Sequence, residues 1–251
     1  MSKYLLILDA GHAKDTAGKR AFDNSLYEWD FNNNMQYLIK KRAEEHGITV
    51  KLTNPNPQSV SDITLSVRSA FANKLYSDLK KPNTLFISLH ANAYGNTWNS
   101  ARGVEVYHAS NASQNSKNAA KYLCDSIYND VKNIDTNFKN RGVKCQDFTV
   151  IYKTVTPTCL VEYGFYSNKD DLKILKNNQN DLVEATLKGI CKYFNIKYQE
   201  PKKEIVKTDS TASNTYYRVV AGSYANKDNA DKLVSDLKSK GYPAFVDIYK
   251  K

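Results

Sequence analysis

Short apolar runs alternate along most of this sequence with segments that show helical periodicity. The runs are typical of buried strands, and the periodic segments are typical of helices packed on a sheet. This alternation predicts an α/β fold, in which a mostly parallel twisted sheet carries helices on both faces. The predicted strands are residues 4–9, 49–52, 84–89, 103–107, 150–151 and 159–163.

Helical periodicity predicts four helices between and after these strands. They cover about residues 28–46, 62–80, 114–131 and 181–194. The first helix carries one apolar stripe and ends at Gly47. The residues of that stripe are Phe31, Met35, Leu38 and Ile39. In the second helix, the residues predicted to face inward are Ile63, Val67, Ala70, Phe71 and Leu75.

The composition changes near the C-terminal end. Residues 198–215 are rich in polar residues, proline and lysine and show little apolar periodicity, which predicts a linker. The linker separates a first domain, residues 1–197, from a small C-terminal unit, residues 216–251. That unit is predicted to be one βαβ motif with a strand, a helix and a strand at residues 216–221, 227–240 and 243–249.

The net charge of +10 and the pI near 9.2 favour a polyanionic partner. Nucleic acid, an anionic membrane surface and anionic wall polymers all fit this charge. No stretch approaches the roughly 20 apolar residues of a membrane span, so membrane insertion is not expected. The apolar run at residues 4–8 is too short for a signal peptide. We therefore expect synthesis in the cytoplasm, with release by another factor if the protein acts outside.

The four cysteines show no CxxC pair. At least two of them fall on apolar stripes of predicted helices or strands. We therefore expect Cys124, Cys145, Cys159 and Cys191 to be reduced, packed thiols.

Polar side chains lie near the ends of three predicted strands. These are His12, His90 and Glu162. A fourth candidate, Glu28, begins the first helix, where a carboxylate interacts favourably with the helix dipole. Two histidines and one carboxylate are the ligand set of a catalytic zinc, and the other carboxylate is then free to act as a general base. Each residue alone also fits a structural role, such as a hydrogen-bonded histidine or a helix cap.

Seven segments between residues 3 and 195 together carry a resemblance to a known family. They are Asp9-Ala10-Gly11-His12, Glu28 to Asn32, Leu65 to Asn73 with Arg68, Ser88-Leu89-His90-Ala91-Asn92, Gly103 to Tyr107, Arg141-Gly142-Val143-Lys144, and Val161 to Asn168. In this order they resemble the zinc-dependent N-acetylmuramoyl-L-alanine amidases of autolysins and phage endolysins. Each segment alone is a weak match, but seven in register are specific.

The resemblance implies that His12, Glu28 and His90 bind zinc and that Glu162 is the catalytic carboxylate. It also implies hydrolysis of the amide between N-acetylmuramic acid and the first L-alanine of the peptidoglycan stem peptide. In such a reaction zinc polarises the carbonyl and activates water, while the carboxylate takes a proton and delivers it to the leaving amine.

Four further polar residues are left without a catalytic role. Asn92 and Arg68 match family positions near the site. His46 lies in the last turn of the first helix, where a cation favours the helix dipole. His108 follows a predicted strand and fits either a surface position or the wall of the cleft.

The C-terminal unit carries a second resemblance. Residues 217–224, residues 226–230 and a helix that ends near residue 242 resemble a SPOR repeat, a family that binds peptidoglycan glycan strands. A single βαβ motif buries too little apolar surface to be stable alone. We therefore expect two copies to pair, which makes the protein a homodimer through this unit. The alternative is an appendage docked on the first domain.

Two other functions stay open at this stage. A zinc peptidase that cuts another cell-wall amide has the same ligand set. A non-catalytic basic protein that binds the wall or nucleic acid fits the charge. The aromatic residues are spread through strands and helices and are not grouped with Lys and Arg, which argues against nucleic acid. Peptidoglycan is the predicted partner.

Overall fold

The computed structural model divides the chain into two compact units, residues 1–201 and 202–251. The described residues are 3–56, 58, 61–80, 83–201, 222–239 and 244–247. No helix among them is both long and apolar enough to span a membrane.

The first unit is built on a six-stranded sheet. The strands are β1 (Tyr4–Ala10), β2 (Thr49–Leu52), β3 (Asn83–Asn92), β4 (Val104–His108), β5 (Asn140–Cys145) and β6 (Thr158–Phe165). Their order across the sheet is β2-β1-β3-β6-β4-β5. All neighbours are parallel except β4 and β6, which pair antiparallel. The predicted mostly parallel sheet is confirmed.

Helices cover both faces of this sheet, as predicted. They are α1 (Glu28–Glu45), α2 (Leu65–Asp78), α3 (Gln114–Val131), α4 (Thr149–Tyr152), α5 (Lys169–Asn177) and α6 (Gln179–Phe194). Successive residues of β1 belong to two different cores, since Leu6 and Leu8 pack with α1, α3 and α6, whereas Leu5 and Ile7 pack with α2 and α4. Because side chains alternate across a strand, the apolar run from Leu5 to Leu8 is buried on both faces of the sheet.

Helix α1 forms as predicted because its apolar stripe faces the larger core. Phe31, Met35 and Ile39 are buried, and Leu38 packs against them. The helix ends at Glu45, and Gly47 follows with φ of +74°, a conformation that favours glycine.

Helix α2 buries only part of the predicted face, since Leu75 packs against the smaller core as predicted but three other residues do not. Val67, Ala70 and Phe71 are exposed, and the buried residues of α2 are Arg68, Ser69 and Ala72. The reason is a buried polar contact. Arg68 turns inward to the Asp9 carboxylate on β1, and the Ser69 hydroxyl donates to the carbonyl oxygens of Leu65 and Val150.

The predicted strand at residues 150–151 is wrong, because these residues lie in α4. Val150 and Ile151 are adjacent and both buried in the same core, whereas a strand would direct them to opposite faces. Strand β5 and helix α5 were not predicted. Strand β5 is largely exposed at the sheet edge and shows no apolar pattern. Helix α5 is short, and the side chain of Asn168, the N-cap residue before it, accepts two backbone hydrogen bonds.

Three of the four cysteines are buried and free, as expected. They are Cys124, Cys159 and Cys191. Burial raises the pKa of the Cys124 thiol to about 11 and that of Cys191 to about 11, so both stay protonated at neutral pH. Cys145 is also free, but it is exposed on β5, and the prediction of a packed thiol is wrong for this residue.

Residues 198–201, which composition assigned to the linker, belong to the first unit. The Tyr198 hydroxyl donates to Glu184 Oε2 at 2.7 Å, and the Gln199 amide donates to His46 Nε2 at 2.9 Å. His46 therefore contacts this segment through one ring nitrogen, while its other ring nitrogen bonds the Arg42 carbonyl oxygen.

The second unit contains helix α7 (Lys227–Ser239), close to the predicted helix. The residues predicted to share one face, Ala230, Leu233, Val234 and Leu237, are the partly buried ones. The predicted strand at residues 216–221 lies outside the described residues. Of the predicted strand at residues 243–249, only residues 244–247 are described, and these form no strand.

A buried ion pair joins α2 to the end of β1. Arg68 Nη1 donates to Asp9 Oδ1 at 2.9 Å and to the Ala10 carbonyl oxygen at 2.5 Å, and both charged side chains are 1% exposed. Asp9 also accepts from the hydroxyls of Ser88 on β3, at 2.7 Å, and of Thr53. All these donors are needed because a buried carboxylate is stable only when it is paired and hydrogen-bonded.

We expect Arg68→Ala to lower the free energy of unfolding by about 3–5 kcal/mol, because Asp9 would stay buried without its cation. Lys74→Ala is the matched control on the same helix, since the Lys74–Asp78 pair is exposed. It should cost less than about 0.5 kcal/mol. Urea unfolding measures both values. Equal losses in the two variants would contradict the structural role given to Arg68.

Candidate functional site

The segment after β1 holds His12 in an unusual backbone conformation. His12 has φ of +64°, in the left-handed region that few residues other than glycine adopt. Side-chain amides fix this turn from two sides. Asn32 Nδ2 donates to the Gly11 carbonyl oxygen, and Asn54 Nδ2 donates to that of His12, both at 3.0 Å. The Gly11 amide donates to the Leu89 carbonyl oxygen on β3 at 3.1 Å.

Three of the predicted site residues meet at this edge of the sheet. Glu28, at the first position of α1, has Oε1 at 3.3 Å from His12 Nε2 and at 2.9 Å from His90 Nδ1. The two imidazole rings lie edge to face with centroids 5.0 Å apart. One ligand atom from each residue can be chosen so that all lie within 4.8 Å of one another. Among the described residues, this is the one such group of His, Cys, Asp and Glu.

The charge of Glu28 suits it to bind a cation. Burial alone would raise the pKa of this carboxyl, but hydrogen bonds from His12 and His90 outweigh burial and lower the pKa to about 2. The Ala91 amide also donates to Glu28 Oε1 at 3.3 Å. Glu28 is therefore an ionised carboxylate between two imidazoles. Two imidazole nitrogens and one carboxylate oxygen form a donor set of the kind that catalytic zinc sites use, so these residues fit the metal that the resemblance implies.

Glu162 lies beside this group on the neighbouring strand. In the pairing of β3 with β6, His90 stands opposite Glu162. The register shifts just beyond, where Asn92 pairs with Phe165, so β6 carries one extra residue there. The Glu162 side chain is partly exposed, yet its Oε2 atom is buried and has no hydrogen-bond partner among the described residues.

The pKa of Glu162 is raised well above its usual value. Burial is the main cause, and the negative charges of Glu28 and Glu105 add to it. A carboxyl group with a raised pKa can hold a proton near neutral pH and release it, which general acid and base catalysis requires. Glu162 is therefore suited to proton transfer, whereas Glu28 stays ionised.

A second carboxylate, Glu105, stands opposite Glu162 on the antiparallel strand β4. Glu105 is 2% exposed, and both its oxygens accept hydrogen bonds. Its donors are Asn92 Nδ2 at 2.6 Å, the Tyr107 hydroxyl at 2.7 Å, Arg141 Nε at 2.6 Å, and Lys144 Nζ. Burial raises the pKa of Glu105, but these bonds outweigh it and leave the pKa below its usual value. The two facing carboxyls therefore differ in protonation behaviour.

Sequence reasoning found Glu105 only as part of a family segment, without a role. One signal was present, because a glutamate between two valines in an apolar strand needs buried partners. Asn92 is explained by its hydrogen bond to Glu105. His108 is not in the group of possible metal ligands, and its Nδ1 bonds the Ala109 carbonyl oxygen.

Comparison with known families decides what this site belongs to. Residues 6–192 match the family model described as N-acetylmuramoyl-L-alanine amidase. The chain belongs to this amidase family. The predicted family, fold class and peptidoglycan amidase function are confirmed. Residues 197–251 match the SPOR domain model, a longer stretch than the predicted unit at residues 216–251.

Named amidases and an endolysin align over nearly the whole chain. The endolysin of Bacillus phage SPP1 is 31% identical over 238 residues, which cover 92% of this chain and 79% of the endolysin. The amidase CwlM of Bacillus licheniformis is 26% identical and aligns over 98% of this chain and 85% of its own length. A crystal structure of an amidase from Clostridium difficile 630 superposes with a TM-score of 0.67 at 25% identity, over 79% of this chain and 100% of that chain.

Gly11 gives a direct test of the packing around the two imidazoles. A Cβ atom at residue 11 would lie 2.1 Å from His90 Cε1 and 2.4 Å from His90 Nε2. We expect Gly11→Ala to displace the His90 ring and to weaken zinc binding by about 10- to 100-fold, as the loss of a supporting contact does at other metal sites. Metal content after dialysis against dilute chelator measures this.

Gly47→Ala is the control for this variant. Unlike Gly11, Gly47 has room for a side chain, since nothing lies within 4 Å of the added Cβ, but its φ of +74° is unfavourable for alanine. We expect a loss of about 1–2 kcal/mol in stability with zinc affinity unchanged. Normal zinc affinity in Gly11→Ala would contradict the packing argument.

Proposed function

We propose that this amidase is zinc-dependent, with His12, Glu28 and His90 as the metal ligands and Glu162 as the catalytic carboxylate. The observation that carries the proposal is the meeting of two imidazoles and one ionised carboxylate within 4.8 Å, with Glu162 opposite His90 on the next strand. The three carboxyl groups of this region have different surroundings, which supports separate roles for Glu28, Glu105 and Glu162.

When bound, zinc supplies Lewis-acid polarisation of the scissile carbonyl and lowers the pKa of water. The chain's own residues supply the rest. Glu28 contributes negative charge to the metal site without protonation, because its pKa is held near 2. Asn32 and Asn54 hold the backbone at Gly11 and His12, so His12 is positioned before substrate binds.

Glu162 is proposed to move the proton of the reaction. The amide bond between the lactyl carbonyl carbon and the L-alanine nitrogen breaks, and a water oxygen bonds that carbon. Glu162 takes one proton from the attacking water and delivers it to the leaving nitrogen, so the products are a carboxylic acid and a free amine. Its raised pKa favours the delivery step, and its buried, unpartnered Oε2 offers an acceptor inside the site.

The C-terminal unit is proposed to hold the enzyme on the wall. The SPOR match and the net charge of +10 support this, because peptidoglycan-associated polymers are anionic. Homodimerisation through this unit stays a prediction, and nothing in the described residues supports it. Synthesis in the cytoplasm with release by another factor also stays a prediction.

A zinc peptidase acting on another wall amide is the second candidate, because the same ligands serve both reactions. The new termini distinguish them. The amidase frees the amino group of L-alanine on digested walls, whereas a peptidase frees a different amino acid. Dansylation of the digested wall identifies the residue.

We expect Glu162→Gln to keep zinc and to lose activity by about 10²–10⁴-fold, the usual contribution of one general acid–base group. Metal analysis and release of L-alanine termini from purified walls measure the two effects. His108→Gln is the control, because His108 is half-buried outside the group of possible metal ligands, and it should retain both. Normal activity in Glu162→Gln would refute the assigned role.

We expect truncation after Pro201 to retain cleavage of soluble muramoyl peptides and to lose binding to walls. The cut keeps Tyr198 and Gln199, which contact the first unit through Glu184 and His46. Sedimentation of the variant with purified walls measures binding. Full wall binding by the truncated protein would show that the C-terminal unit is not the targeting module.

A further inference from the structure

We propose that Arg141 and Lys144, held in place by Glu105, form a recognition site for a carboxylate of the stem peptide. The carboxylate is the one carried by the second residue beyond the scissile amide, on the amine side. The inference rests on the proposed function and adds a substrate preference to it. Arg141 and Lys144 are specificity-determining residues in this proposal, and they take no part in the bond cleavage.

The position of the pair follows from the strand register. Glu105 on β4 stands opposite Glu162 on β6, and Glu105 Oε2 accepts from both Arg141 Nε, at 2.6 Å, and Lys144 Nζ. Arg141 and Lys144 both lie on β5, the strand next to β4. The two cations are therefore connected to the catalytic region through one buried carboxylate.

The guanidinium of Arg141 is held in place, but only one of its three nitrogens donates a hydrogen bond to a described residue. Its carbon lies 4.8 Å from the centroid of the Phe165 ring, and its side chain is 36% exposed. Only Nε has a hydrogen-bond partner, so both terminal nitrogens lack one among the described residues. The planar guanidinium can bind a carboxylate through two parallel hydrogen bonds, and a stacked guanidinium loses little freedom when it does so.

Arg141 and Lys144 together carry one more positive charge than the Glu105 carboxylate neutralises. The Asn92 amide and the Tyr107 hydroxyl already donate to Glu105 Oε1. One cation would balance the Glu105 carboxylate, yet two are present, and each side chain is 36% exposed. One net positive charge is therefore offered to solvent at the edge of the site, and a substrate carboxylate can neutralise it.

The distances fit a short peptide. Arg141 stacks on Phe165, which lies three residues beyond Glu162 on β6, or roughly 10 Å along a strand. Two residues of an extended peptide span about 7 Å, and their side-chain or main-chain carboxylate adds a few ångströms. A scissile amide at Glu162 therefore brings the carboxylate of the second stem residue near the free guanidinium nitrogens.

The test uses two substrates that differ only in this group: N-acetylmuramoyl-L-alanyl-D-glutamate and N-acetylmuramoyl-L-alanyl-D-isoglutamine, in which the α-carboxylate is an amide. We expect the zinc-loaded full-length protein to cleave the carboxylate substrate with a kcat/KM about 10-fold higher, as for one charge-assisted hydrogen bond. Arg141→Gln should reduce this ratio to near 1, mainly through KM. Arg141→Lys should keep part of the preference, and Lys144→Gln should also lower it.

Lys188→Gln is the matched control, because Lys188 has similar exposure and its ion pair with Asp130 joins helices α6 and α3, not the strands that carry Glu105 and Glu162. It should keep the wild-type ratio. A wild-type ratio near 1 would overturn the inference, and so would an Arg141→Gln protein that cleaves both substrates more slowly by the same factor, since that pattern indicates a purely structural role. Failure of the wild-type protein to cleave either substrate would count against the proposed zinc-dependent mechanism and not against this substrate preference.

Discussion

The buried Asp9 carboxylate at the end of β1 is the contact on which the site depends. It joins three parts of the first unit, because its donors come from α2, from β3 and from the segment after β2. Gly11 and His12 follow within three residues, so the backbone that presents His12 starts from this fixed point. A hydrophobic residue at this position would leave the buried Arg68 guanidinium without this anion, and it would give the end of β1 no directional contacts.

The antiparallel strand β4 adds a second carboxyl group next to Glu162. Strands β2, β1, β3 and β6 are parallel and bring their carboxyl ends to one edge, which is where sites of α/β folds form. Strand β4 runs the other way and places Glu105 directly opposite Glu162. Two facing carboxyls would repel each other if both were ionised. The donors around Glu105 stabilise the negative charge there, and Glu162 is left as the carboxyl whose pKa is raised.

Sequence reasoning predicted the parts of the fold that depend on local pattern. His12, His90 and Glu162 each follow or end an apolar run, and their meeting follows from the geometry of a parallel sheet. Prediction from the sequence failed where a contact with a residue distant in sequence decides which side chains are buried or which residues form a strand. The exposed face of α2 depends on the pairing of Arg68 with Asp9, and β5 is an edge strand without an apolar face. Glu105 was missed as a functional residue because its donors come from three separate segments.

The extra residue in β6 just beyond Glu162 limits which insertions and deletions this strand can tolerate. Before the extra residue, His90 pairs with Glu162. After it, Asn92 pairs with Phe165, so the register has shifted by one residue. A change of one residue in this short stretch would turn the following side chains to the opposite face of the sheet. Phe165 would then no longer lie beneath the Arg141 guanidinium. The geometry of the pleat therefore fixes the spacing from Glu162 to Phe165.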